Sequence, residues 1–251
     1  MNLYQTIYTL WLREMKHFAR SRGRLLGSMA LPLLFLLVLG NGMGGYFRYR
    51  NDVSYVEFIG PGIVGMAILF SSMFGGLNVL WDKQFGFLKE ILVAPVGRTA
   101  IMMGKTLGSV TTSLVRAIVF LAALVAMRVV NPDPTGIAIS VGFMFLISAS
   151  FVALGIAMAS RMSDPHSFQL IMSFLIMPVF FLSGALFPLD GLPMWLLSLT
   201  YANPLTYGID GMRYALGCPH QFSPLLNAGV LCVFLVITTV SGAYLFKTIT
   251  V

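Results

Sequence analysis

The sequence predicts an all-α integral membrane protein: six transmembrane helices, an N-terminal amphipathic interfacial helix, and an outer re-entrant helical hairpin between spans five and six. Three observations carry that expectation. Hydrophobic residues fill 57% of the 251 positions and charged residues only 10%, with mean hydropathy +0.85, whereas a soluble domain carries about 25% charged residues. Too few polar side chains remain to cover a solvated surface, so the bilayer is the main solvent. Apolar segments of the ~20 residues needed to cross a bilayer recur along the chain. Basic residues gather at alternate ends of those segments, as topology signals do.

Residues 1–24 precede any span. Leu3, Ile7, Leu10, Met15 and Phe18 recur near helical spacing around Trp11, while Arg13, Lys16 and Arg20 form a basic face. This pattern suits a helix lying in the cytoplasmic interface, with a solvated tail as the alternative. The spans then fall at about 25–43, 58–80, 106–127, 135–159, 169–187 and 225–246, and each must be helical to satisfy its own backbone. The first run begins near Leu25 and ends in GNGMGG, without a small-residue cleavage site, so it is expected to remain as an anchor. Small-residue pairs Gly23/Gly27, Gly40/Gly44 and Gly104/Gly108 allow helices to approach closely.

Between spans two and three, residues 81–108 read WDKQFGFLKEILVAPVGRTAIMMGKTLG. Leu88, Ile91 and Leu92 share one helical face beside Lys89 and Glu90, and Pro95 stops the helix. Residues 186–217, LFPLDGLPMWLLSLTYANPLTYGIDGMRYALG, are apolar but broken by Pro188, Pro193 and Pro204. Leu192–Leu199, with Trp195 at its centre, is too short to cross and is expected to dip back into the membrane. Asn203-Pro204 turns the chain into a second short helix, Leu205–Leu216, carrying Tyr207, Asp210 and Arg213. Asp210 and Arg213 lie three apart and can pair there.

Orientation follows from charge. With both termini in the cytoplasm, the inner side holds Arg13, Lys16, Arg20, Arg22, Arg24, Lys83, Lys89, Arg98, Lys105, Arg161 and Lys247. The outer side holds Arg48, Arg50, Arg128 and Arg213; with Arg116 inside a span, these account for all 16 basic residues. The bias favours termini inside. The net charge of +7 is therefore read as topology signal and lipid headgroup contact, not as a nucleic-acid surface. Arg116 either faces a cavity or snorkels to the cytoplasmic interface.

Catalytic chemistry finds no support. His17, His166 and His220 fall in different segments, Cys218 and Cys232 form no disulfide framework, and no HExxH, CxxC or GxSxG motif occurs. Gly104-Lys105-Thr106 resembles the end of a nucleotide-binding P-loop, but that motif needs a glycine at position 99, which is Thr99. The chain is expected to be no enzyme and to bind no ATP or metal itself. Phe70, Met73, Phe74, Asn78, Met177, Phe180 and Phe181 are candidates for an apolar substrate route, with packing as the plainer reading.

Three stretches together resemble the membrane subunits of ABC-2 type transporters, among them bacterial drug, lipo-oligosaccharide and polysaccharide exporters. They are the basic amphipathic start, KEILVAPVGRTAIMMGKTLG at 89–108, and LFPLDGLPMWL…ANPLTYGIDGMRYALG at 186–217. The resemblance runs over essentially the whole chain as one domain, 1–251. It implies a cytoplasmic-membrane subunit that pairs with a second copy or a relative and docks a separate cytosolic ATPase, which carries the ATP and Mg. Glu90, Pro95 and Arg98 match motif positions of the docking segment, and Lys89 and Lys105 join them on charge alone. The export route is expected near spans two and five. Pro188, Trp195, Pro204, Tyr207, Asp210 and Arg213 would form an outer gate, with a rigid packing cap as the alternative. The cargo expected is an amphipathic drug-like, lipid-linked or glycan molecule. An ion-gradient-driven transporter or channel is the competing reading.

Overall fold

A computed structural model describes residues 3–20, 22–43, 48–49, 53–87 and 97–247. Its helices are α1 Leu3–Arg20, α2 Arg22–Met43, α3 Tyr55–Met73, α4 Gly75–Gln84, α5 Arg98–Ala126, α6 Pro134–Ser160, α7 Pro165–Phe181, α8 Met194–Ala202, α9 Pro204–Ala215 and α10 Pro224–Lys247. The one sheet among the described residues is a two-residue antiparallel pair, β1 Arg48–Tyr49 with β2 Val53–Ser54.

Four helix starts are written into the chain in the same way. Asp133, Asp164, Asn203 and Ser223 each precede a proline, and each side-chain oxygen accepts a backbone N–H of the first turn. The caps satisfy orphan donors, and proline at the first helical position sacrifices none. The Ser167 hydroxyl and the N–H groups of Ser167 and His166 hold the Asp164 carboxyl below the usual range; that cap weakens only as the pH falls through the lowered value. α3 starts differently, with a reciprocal box in which Ser54 and Glu57 each bond the other's backbone N–H.

Among the described residues, four segments are long and apolar enough to cross a bilayer: Tyr55–Gln84, Arg98–Ala126, Pro134–Ser160 and Pro224–Lys247. The first combines α3 and α4, whose shared rod breaks at Phe74 ahead of Gly75 and Gly76. The helices at the expected first and fifth spans carry shorter apolar stretches, Ala30–Gly40 and Pro165–Phe181. The fifth expected span, 169–187, is corrected at both ends. The Asp164 cap starts its helix at Pro165, and the helix ends at Phe181. The chain then turns through Gly184 and Gly191, at φ 67° and 84°, values that favour glycine.

α6 is the hub, packing against α3, α4, α5, α9 and α10. Its approach to α4 is backbone to backbone. A Cβ on Gly76 would lie 2.2 Å from the Gly155 carbonyl oxygen, and one on Gly155 would lie 2.5 Å from that of Met73. Beside this crossing, Ser72 of α3, Ser113 of α5 and Ser148 of α6 share a buried hydroxyl cluster, with oxygens 2.9 and 3.3 Å apart. Small residues and interhelical hydroxyl bonds hold helices together where no hydrophobic drive separates protein from lipid.

Gly155→Val should therefore abolish the folded, monodisperse protein on detergent size-exclusion chromatography. Gly142→Ala, on the same helix with no atom within 4 Å of the added Cβ, should be tolerated. Equal behaviour of the two variants would refute the backbone contact.

Candidate functional site

The amphipathic face of α1 is spent on protein contact. Gly104 and Gly108 open a groove on α5 into which Leu10 and Glu14 pack; a Cβ on either glycine would lie 2.8 or 2.7 Å from the Cβ of its neighbour. One turn along, the Trp11 indole donates to Thr111 Oγ1 at 3.0 Å. The Phe18 ring lies 5.1 Å from the Arg116 guanidinium. The two helices thus advance side by side in the same direction.

Asp82, near the end of α4, ties three segments together. Its carboxylate accepts both Arg13 amino groups, at 2.9 and 3.2 Å, and the Lys105 ammonium. The Arg13 guanidinium also covers the Phe87 ring at 3.7 Å. Burial alone would lower the Arg13 pKa, but the hydrogen bond and charge of Asp82 outweigh it and the net shift is upward. Lys105, selected from charge as a docking residue, is 3% exposed on this carboxylate and presents no charge to the surface. Gly104 and Lys105, the P-loop look-alike, are thereby committed to α1 and Asp82.

Of the other docking candidates, Lys89, Glu90 and Pro95 lie outside the described residues. Arg98 opens α5, exposed, and its guanidinium donates to the Lys247 carbonyl at the end of α10.

Between α1, α2, α3, α4 and α5 lies a cavity of about 1170 Å³. Arg116 lines it and donates to Ser71 Oγ. The substrate-route candidates divide around it: Phe70, Phe74 and Asn78 are on its wall, while Met73 and Phe180 are buried in packing. Met177 and Phe181 are exposed on the outside of α7.

The opposite end holds the helical pair expected around Asn203-Pro204. α8 is largely exposed, with Trp195 at 66%, whereas α9 is buried. Asn203 caps α9 and donates to the Val179 carbonyl, tying the hairpin to α7. Tyr207 and Thr206 donate back to the carbonyls of Tyr201 and Thr200; Pro204 is the first residue of α9, and Pro188 lies half-buried in the preceding turn.

Asp210 and Arg213, expected to pair, are directed mainly at backbone and amide groups. Asp210 accepts the N–H groups of Gln221 and Phe222 and the Asn227 amide. Arg213 donates to the carbonyls of Phe58, Gly184 and Ala185 and lies 4.0 Å over the Phe58 ring. Burial pushes the nearby Cys218 thiol up to about 11, which leaves it inert at neutral pH. No three His, Cys, Asp or Glu side chains among the described residues gather as a metal site.

Residue reasoning had not selected Asp82. Its only sequence signal is position, one charge at the end of a span, because its partners lie 69 and 23 residues away.

Helices long enough to cross a bilayer, with buried charges at both ends and a large cavity lined in part by charge, define a polytopic membrane protein. The chain belongs to the ABC-2 type transporter family, whose model matches residues 5–216. It is 28% identical over 257 residues to a Cyanophora paradoxa protein named as a transport permease, ycf38, covering 98% of this chain and 89% of that one. It is 25% identical to the inner membrane transport permease YadH of Escherichia coli K12, with 94% and 93% covered. Nodulation protein J of Rhizobium leguminosarum bv. viciae is 23% identical, with 85% and 82% covered.

Asp82→Asn should lower stability by on the order of 3 kcal/mol, since it strands a buried ammonium, read as the thermal midpoint in detergent. The double variant Asp82→Leu/Lys105→Met should recover most of that loss. An unshifted midpoint in the single variant would show that the ion pair carries no weight. Asp210→Asn should cost about 1–3 kcal/mol, because an amide turns a donor toward a backbone N–H; the same midpoint checks it.

Proposed function

We propose that the chain is the membrane-spanning subunit of an ATP-driven exporter, working as a pair with a second copy or a related permease. A separate ATP-binding cassette subunit docks from the cytoplasm and carries the ATP and Mg. The observation that carries this reading is the family match across residues 5–216. In this reading the whole chain is one domain with six spans. α2, at 22 residues, is about 33 Å long and forms the first; α7 with its following turn forms the fifth.

Both termini face the cytoplasm, and α8 with α9 re-enter the outer leaflet as a gate. The charge bias across the loops supports that orientation. Docking falls to the segment carrying Lys89, Glu90, Pro95 and Arg98, with α1 beside it and Lys105 bracing it from behind. Cargo passes between the paired subunits, and an amphipathic drug-like, lipid-linked or glycan molecule suits a route flanked by Phe70, Phe74, Met177 and Phe181. A bacterial cytoplasmic membrane is the expected location, in keeping with the relative named as an inner membrane transport permease.

The test is copurification with the cassette ATPase followed by reconstitution in vesicles. ATP-dependent transport that survives a protonophore is expected, and Glu90→Lys or Arg98→Glu should uncouple hydrolysis from transport while the protein still inserts. Transport that proceeds without any ATPase, or collapses with the ion gradient while ATP is plentiful, would instead establish a secondary carrier.

A further inference from the structure

The cavity beneath α1 combines two surfaces of opposite character. One is cationic. Among the described residues, Arg13, Lys16, Arg20 and Arg116 line it against Glu14 and Asp82, an excess of two positive charges before His17 is counted. Asp82 is already shared with Lys105 from behind, so its charge is more than spent. Lys16 and Arg20 are exposed and have no ion-pair partner among the described residues. The other surface is apolar, formed by Leu31, Pro32, Met66, Phe70, Phe74 and Trp81.

The cations also share one space. Lys16 and Arg20 lie with Arg13 on the face of α1 that lines the cavity, and Arg116 of α5 lines the same cavity. Ser71, Asn78 and Thr112 add neutral hydrogen-bonding groups nearby. A neutral apolar occupant would strip water from these charges without replacing it, which is costly. An occupant that is only an anion would leave the aromatic wall wet. At about 1170 Å³ the space exceeds the roughly 300–1,000 Å³ of a drug-sized pocket, which leaves room for hydrocarbon chains.

We propose that this cavity binds an amphiphile with a net-anionic phosphate headgroup from the cytoplasmic leaflet. Its phosphoryl group is held by Arg116, Arg20 and Lys16, and its hydrocarbon lies against Phe70, Phe74 and Leu31. The inference rests on the orientation in the proposed function, which sets these cations at the inner leaflet, and it does not require that the bound lipid be the cargo. An anionic membrane glycerophospholipid and a polyprenyl-linked phosphate share the required chemistry.

Trp81, on the cavity wall, is the reporter. The full chain carrying Trp11→Phe and Trp195→Phe is placed in phosphatidylcholine nanodiscs doped with chain-brominated phosphatidylglycerol or chain-brominated phosphatidylcholine. Saturable quenching by the anionic lipid, at a several-fold lower mole fraction than by the zwitterionic one, is expected. Lys16→Gln/Arg20→Gln and, separately, Arg116→Gln should each remove most of that several-fold preference, as the loss of a charge-assisted hydrogen bond implies.

Equal quenching by the two lipids, or a preference unchanged in both variants, overturns the proposal. So does relief of quenching by millimolar inorganic phosphate alone, which would mark a simple anion site. Competition by unbrominated polyprenyl phosphate or by unbrominated phosphatidylglycerol each supports the site, and the stronger competitor identifies the source. Should the tryptophan variant fail to fold, native mass spectrometry of the unmodified chain reads the same preference as retained phosphatidylglycerol over phosphatidylcholine. No ATPase enters these measurements, so their failure leaves the transport reading standing, and failure of ATP-driven transport leaves lipid binding standing.

Discussion

A single carboxylate, that of Asp82, fixes how the membrane-facing bundle meets the chain that precedes it. Two cations from different helices converge on it, and one of them, Lys105, is almost fully buried. Removing an ammonium from water is expensive unless a counter-charge and hydrogen bonds replace the lost hydration. The arrangement therefore dictates the mutual position of α1, the C-terminal end of α4 and the start of α5. The glycine groove on α5 adds shape to that electrostatic constraint. The cavity is the space left between helices whose ends are held in this way.

The far end of the bundle obeys the same rule with different partners. Asp210 and Arg213 are both buried, yet their partners are largely backbone N–H groups, backbone carbonyls and a side-chain amide. A helix carrying a buried acid and a buried base can be fixed in place when the turns around it aim polar atoms inward. Glycine supplies that freedom at position 184, where the chain adopts a left-handed conformation and its carbonyl meets Arg213. Between the two charged ends, α6 contributes small residues and a shared hydroxyl cluster. Adhesion there comes from close approach, as suits a core whose surroundings are as apolar as itself.

Much of this was legible from the residues alone. The apolar runs marked six spans, four of which coincide with bilayer-length helices among the described residues, and Asn203-Pro204 marked the junction of two short helices. The periodicity of Leu3, Ile7, Leu10 and Phe18 marked α1 as a helix. Boundaries were less legible: the fifth apolar run spills past its helix because Leu182–Phe187 is apolar but turned, and hydropathy does not sense φ. The role of Asp82 was not legible, since a carboxylate at the end of a span looks the same whether it faces water or two cations from distant segments. The partition of Phe70, Phe74 and Asn78 onto a cavity, with Met73 and Phe180 in packing, depends on helix rotation within the bundle. Periodicity does not define that rotation when a span is apolar on every side.

The groove that receives α1 has a consequence for biosynthesis. Leu10 and Glu14 rest on Gly104 and Gly108, about ninety residues downstream, so α1 has no seat until α5 has been made. While the helices between them are added its apolar face has no part of α5 to cover it, and the lipid headgroup boundary is a surface that suits both its greasy and its basic sides. An amphipathic stripe with flanking arginines is thus needed twice by the same twenty residues, first as a waiting place on the bilayer and then as a joint within the finished molecule.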